Sequence, residues 1–315
     1  MKPGEKIGLV CPASRPPNPA VVRRSVWLLA QLGFHPVVGD NVLKTEGFFA
    51  GTDEERLSDL VQFILAPDVR AICCISGGYG SLRLLDKLDY SMIQEHPKVI
   101  VGSDDNTSLL LAINKMTGLV TIHGPNLERM QSIEAMRRLK NALTKSQFET
   151  MLVDETKVER TDKKRPGVVQ VSIFSYAPVQ GQSVGRILAG DLTAMVSLMG
   201  TPYQPDFANT ILLLEDIDER LSTLDRWLTN LYIGGPLKET LAVGFGKFEN
   251  CHSHGLLNSL SIEDIFGDRL VQMGKPCCFN FPFGQSSSSS FVPMGIQANI
   301  DTRLGKLNFL ESAFT

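Results

Sequence analysis

The chain has 315 residues, of which 43% are hydrophobic and 21% charged, enough for one large domain or two ordinary ones with a substantial core. Thirty-one Lys and Arg against thirty-four Asp and Glu leave a formal charge of −3, so the balance argues against a nucleic-acid partner and against a disordered acidic tail. Apolar runs such as 109–113 are too short to span a bilayer, which predicts a soluble protein with no membrane partner.

The N-terminal apolar run before Pro12 is too short for a signal peptide, and Val10 before Cys11 does not suit a lipoprotein. The six cysteines, including the neighbours Cys73-Cys74 and Cys277-Cys278, form no disulfide framework. Adjacent cysteines in apolar strands read as buried thiols and point to a reducing, cytoplasmic compartment.

In chain order, the first half alternates apolar runs with helical spacing. Strands are predicted at 6–12, 35–39, 71–76, 99–102 and 120–123, and helices at 20–32, 52–65, 79–88 and 107–116, with Thr52 or Asp53 as a cap. Residues 146–185 break the rhythm. KVERTDKKRPG within them reads as an exposed turn or linker, and VVQVSIF after it as a strand. The second half resumes with helices at 193–199, 223–231 and 262–273 and strands at 210–215, 241–245 and 277–281; the serine run 286–290 reads as a flexible loop. Strands alternating with helices predict an α/β fold: an N-terminal doubly wound, mainly parallel sheet over 1–145, a joint over 146–185, and a C-terminal α/β domain over 186–315.

Several turns at strand ends carry chemistry. ISGGYGSLRLLDKL is a strand, a glycine turn and a helix start, able to aim main-chain N–H groups such as that of Gly78, beside Tyr79, at an anion. It is neither a G-x-G-x-x-G fingerprint nor a P-loop, and a plain tight turn fits equally well. KVIVGSDDNTSLLLAI repeats the strand–turn–helix geometry of a nucleophile elbow and carries Ser103, Asp104, Asp105 and Asn106 in its turn, although acids before a helix also serve as ordinary caps. ILLLEDIDER ends a buried strand at Glu215 and Asp216, a site position or a solvated strand end. FNFPFGQSSSSS presents Gln285 and Ser286 on a turn, where a loop role is the simpler reading. His123 closes a strand in IHGPN, more simply structural than catalytic. Cys251, His252 and His254 have ligand-like spacing but no second ligand pair, so no metal or other cofactor is expected.

Taken in order, IGLVCPAS, SGGYGSLRLLDKLDY, PKVIVGSDDNTSLLLAI, GLVTIHGPNL, LAGDLTAMVSLMGTPYQPDF, ILLLEDIDE, LDRWLTNL and FNFPFGQ resemble the LD-carboxypeptidase family of serine peptidases (S66 type), from near residue 6 to near residue 301. The resemblance implies two domains with the site between them, a two-fold homodimer, and hydrolysis of a bond joining an L- to a D-centre by Ser, His and Glu. The family serine lies in a G-aromatic-S-D-x-T turn. Laid on GSDDNT, Gly102, Asp105 and Thr107 match, Ser103 takes the aromatic position and Asp104 the serine position. Glu215 matches the family glutamate, Gln285 stands in the place of the histidine that follows P-F-G, and Asp191 replaces the usual Asn.

Glutamine cannot accept a proton at neutral pH, so the ordinary serine mechanism is not expected here. In the family geometry, Gln285 would bridge the carboxylates of Asp104 and Glu215. Repulsion within the shared cleft would raise one pKa toward neutrality and create an acid/base pair. Three readings follow: a repurposed enzyme using Asp104, Glu215 and Gln285 on a small amide- or carboxylate-bearing substrate, a pseudo-peptidase binding a peptide- or amino-acid-like ligand without turnover, and residual hydrolysis through Ser103 or another group. In each, Gly78, Tyr79, Ser103, Asp105, His123 and Ser286 are candidate substrate or oxyanion contacts.

Overall fold

A computed structural model describes residues 1–154, 157–161, 169–173, 177–252 and 260–314. Its first half runs β1 (Lys6–Val10), α1 (Pro19–Gln31), β2 (His35–Val38), α2 (Asp53–Leu65), β3 (Val69–Cys74), a 3₁₀ segment (Ser81–Lys87), α3 (Tyr90–Glu95), β4 (Val99–Gly102), α4 (Asn106–Thr117), β5 (Thr121–His123) and α5 (Ile133–Thr144). Then come β6 (Met151–Leu152), β7 (Lys157–Thr161), β8 (Val169–Ile173), β9 (Gln182–Asp191), α6 (Leu192–Val196), β10 (Thr210–Ile217), α7 (Leu221–Ile233) and α8 (Pro236–Glu239). The chain closes with β11 (Ala242–Glu249), α9 (Ile262–Met273), β12 (Cys277–Cys278), β13 (Val292–Met294), β14 (Gln297–Asp301) and β15 (Lys306–Phe309).

The fold is α/β with two main sheets, as the alternation predicts. The first has the order β13-β5-β4-β3-β1-β2, parallel except for β13. Its central strands are apolar on both faces because helices cover both sides, and Ile7, Leu9, Ile72 and Ile100 are fully or almost fully buried. The strand order reverses between β1 and β3, which opens a crevice at their carboxyl ends. The second sheet has the order β12-β11-β10-β9-β14-β15-β6, with β9 to β12 parallel and β14 antiparallel to β9. The joint carries its own secondary structure: KVERT forms β7 and pairs antiparallel with β8, so this part of the expected turn is a hairpin strand. The rest of that charged run, 162–168, lies outside the described residues.

Two features tie the lobes together. Helix α4 buries Leu109, Leu110, Leu111, Ala112 and Ile113 in succession, apolar all round because both lobes pack on it. Near its start, the Thr107 hydroxyl accepts the Asp191 N–H at 3.2 Å, and a Cβ on Gly190 would lie 2.2 Å from Thr107 Cγ2. Strand β13 belongs by sequence to the second half yet pairs with β5 of the first sheet. The turn carrying Gln285 is therefore strung between the two sheets.

Capping is local and legible. Thr52 and Glu55 form a reciprocal capping box at α2, and Ser261 and Asp264 form another at α9. The expected helix at 79–88 is instead the 3₁₀ segment over 81–87. Gly80 before it sits at φ 129°, and a Cβ there would lie 2.6 Å from the Phe49 ring, so a regular helix cannot start at Tyr79. All six cysteines are free and five are buried. Among the described residues, no helix is long and apolar enough to cross a membrane.

Candidate active site

The site assembles from turns at the carboxyl ends of parallel strands. Strand β4 leads into Ser103 and Asp104, and Asp104 takes φ 59° before α4 begins. An aspartate tolerates this left-handed conformation better than most residues, though at a cost of roughly 1–3 kcal/mol. The twist is held by a buried amide network. Asn126 Oδ1 accepts the Ser103 N–H at 3.1 Å, Asn126 Nδ2 donates to Ser103 O at 3.2 Å, and Asn106 Nδ2 donates to Ser76 O at 2.9 Å.

The Asp104 carboxylate points to the neighbouring turn. Its Oδ2 accepts the Gly78 N–H at 2.8 Å and its Oδ1 accepts the Asp105 N–H at 2.8 Å. Only glycine fits beneath it, because a Cβ on Gly77 would lie 2.1 Å from Asp104 Oδ2. Burial, followed by the nearby Asp105 and Glu215 carboxylates, pushes the Asp104 pKa up to about 7 against the Gly78 hydrogen bond.

In the second lobe, Asp191 ends β9 and Glu215 lies beside it on β10, the two residues in register. Asp191 Oδ1 caps α6 by accepting the Ala194 N–H at 2.8 Å. Burial and repulsion from Asp216, Glu215 and Asp104 hold its carboxyl well above the ordinary range. Asp216 accepts from the Thr193 hydroxyl at 2.9 Å and amide at 3.1 Å, and burial followed by Glu215 pushes its pKa up to about 7.

Gln285 does bridge two carboxylates, but its Nε2 donates to Asp191 Oδ2 at 3.3 Å and Glu215 Oε1 at 3.5 Å, both long bonds. Asp191 thus takes the place expected for Asp104, whose oxygens are held by the Gly78 and Asp105 amides. The buried His123 ring approaches Glu215 Oε1 at 3.3 Å through Nε2 without hydrogen-bond alignment.

The remaining candidates divide by exposure. Ser103 is 0% exposed, and its hydroxyl meets no hydrogen-bond partner among the described residues. Asp105 turns its carboxylate to the Ser81 N–H at 2.7 Å, leaving only its main-chain N–H at the elbow. The Ser286 hydroxyl bonds those of Ser288 and Ser289, at 3.1 and 2.9 Å. Tyr79 is half exposed, beside Phe48 and Phe49. Of the two amides that hold the elbow, Asn106 belongs to the expected turn, whereas Asn126 carries no local sequence signal. Cys251 is half-buried with its thiol against Glu249 O at 3.5 Å, and His254 lies outside the described residues.

Two α/β lobes meet at these carboxyl-end turns, with a left-handed residue on a strand–turn–helix elbow, the place where open α/β sheets put their sites. Residues 7–124 match the LD-carboxypeptidase N-terminal domain and residues 184–300 the LD-carboxypeptidase C-terminal domain of the peptidase S66 family. The chain belongs to that family. It is 33% identical to the "Probable murein peptide carboxypeptidase" of Bacillus subtilis (strain 168) over 95% of this chain and 89% of that one. It is 29% identical to the murein tetrapeptide carboxypeptidase of Pseudomonas aeruginosa over 87% of each. The structure of the microcin C7 self-immunity protein MccF in complex with glutamyl sulfamoyl guanosine superposes with a TM-score of 0.84 at 23% identity, covering 100% of this chain and 98% of that one; MccF comes from Escherichia coli.

Proposed function

We propose that this carboxypeptidase-like chain has exchanged the family serine and histidine for Asp104 and Gln285 while keeping Glu215, and does carboxyl acid/base chemistry on a small amide- or carboxylate-bearing substrate. The observation that carries this reading is the carboxyl at the elbow apex with its pKa pushed up to about 7. Such a group is present in both protonation states at neutral pH, which suits proton transfer. Glu215, almost fully buried and tethered by Gln285, fits a partner that stays in place through a reaction cycle. Complete burial of Ser103 argues against hydrolysis through its hydroxyl.

One observation favours a second reading, binding without turnover. The Gly78 and Asp105 N–H groups, the natural oxyanion donors of the cleft, are both taken by Asp104 itself. The names of the relatives support a murein-peptide-like or aminoacyl ligand in either case, and the family resemblance supports a homodimer, which gel filtration tests directly.

The test incubates the protein with a mixture of murein peptides and follows bound and converted masses. The acid/base reading expects a conversion other than release of terminal D-alanine, which falls by about 10²-fold or more in Asp104→Asn and in Glu215→Gln with binding retained. Binding without conversion in every form establishes the second reading, and undiminished conversion in both variants contradicts the first.

A further inference from the structure

We propose that Phe48 and Tyr79 form an aromatic subsite at the mouth of the cleft that takes a planar aromatic group of the bound ligand. The inference rests on reading Asp104 as the apex of the site and names the side-chain class that site prefers. Phe48 is 62% exposed and Tyr79 50% exposed, so the pair presents a contiguous aromatic surface to solvent. The two ring centroids lie 5.6 Å apart in an edge arrangement, and Phe49 joins them at 4.4 Å from Phe48 and 5.9 Å from Tyr79.

The shelf is braced from behind. The Arg56 and Arg83 guanidiniums lie over the Phe49 ring at 4.8 and 5.2 Å. Arg56 is itself fixed by bonds to Pro12 O, Gly80 O and Asp53. Phe49 exchanges main-chain hydrogen bonds with Glu46, and Ala50 N donates to Ala13 O at 3.0 Å. Phe49 is thus held in place, and the Phe48 and Tyr79 rings both rest against it, which lowers the cost of stacking on them.

Position supplies the occupant. Tyr79 follows Gly78, whose N–H holds Asp104, and the Tyr79 N–H donates to the Ser14 hydroxyl at 3.1 Å. Ser14 and Tyr79 follow β1 and β3, the two strands at which the sheet order reverses, so the shelf is continuous with the crevice where ligands of open α/β sheets lie. Two exposed rings beside charged Arg83 match one ring of a small ligand, far below the area of a protein interface. A ligand anchored at Asp104 can lay a flat side chain here.

Calorimetric binding of four dipeptides tests this: L-phenylalanyl-D-alanine and L-alanyl-D-phenylalanine, each beside its cyclohexyl analogue. At least one phenyl compound is expected to bind about three- to tenfold tighter than its cyclohexyl partner. That advantage should vanish in Phe48→Leu and in Tyr79→Leu and survive in Tyr79→Phe. Because both side chains are largely exposed, these variants should keep the wild-type circular dichroism. Equal binding of phenyl and cyclohexyl compounds, or an advantage that persists in both leucine variants, overturns the subsite and leaves the Asp104 reading intact. Failure of all four to bind rejects the L–D ligand class, and the subsite with it.

Discussion

The Asp104 carboxylate and the Gly78 N–H meet at 2.8 Å across the mouth of the cleft, so the β4 turn is fastened to the β3 turn by residue 104 itself. The same carboxylate is buried near Asp105 and Glu215, and its pKa is pushed up to about 7. One side chain therefore links the geometry of the elbow to its protonation.

This linkage has a definite sign. A carboxyl with a folded pKa near 7 and an unfolded value near 4 keeps its proton longer in the folded state. Its stabilising effect is complete below about pH 4 and is lost as pH rises toward 7. Asp216, also pushed up to about 7, acts in the same direction. Asp104→Asn should melt roughly 2–4 °C above wild type at pH 8, the shift expected for about 1 kcal/mol. The gap should close toward pH 5, and differential scanning calorimetry across that range checks it.

Gln285 is the shared donor of two buried carboxylates, and its removal leaves them facing each other. Gln285→Ala should cost about 1–3 kcal/mol in urea unfolding. Gln285→Glu adds a third acid to the cluster, so its penalty should be larger at pH 8 than at pH 5.

Gly77 lies directly beneath Asp104, with an added Cβ 2.1 Å from Oδ2 and 2.6 Å from the Asp104 Cβ. Gly77→Ala should destabilise by about 1–3 kcal/mol. In an Asp104→Gly background the clash is absent, so a double-mutant cycle should return a coupling of about 0.5–3 kcal/mol.

The sequence carried those parts of the fold that local chemistry determines. The start of α2 at Thr52 or Asp53, the buried strand at 99–102 and the turn after it are all written in neighbouring residues; the structure selects Thr52 as the cap and adds its reciprocal bond with Glu55. Helix α5 at 133–144 was missed although Ser132 caps it and Ala135, Met136, Leu139, Ala142 and Leu143 recur at helical spacing; strands β9 and β13 to β15 were missed because they are set by pairing with partners distant in sequence. The identity of the second carboxylate on Gln285 was also hidden. Asp191 and Gln285 are 94 residues apart, and their meeting depends on β13 tying the Gln285 turn to the first sheet while β9 ends in the second. No periodicity encodes such a meeting.

The most direct test of the proposed exchange at the apex is release of terminal D-alanine from murein tetrapeptide, followed for wild type and for the Asp104→Ser/Gln285→His double variant, with Asp191→Asn added in a third form. Wild type should release none, and release should become measurable once serine and histidine are restored beside Glu215, because the elbow, the Gly78 donor and the Asn126 brace are already in place. Release of D-alanine by the wild-type protein, abolished by Ser103→Ala, would contradict the exchange.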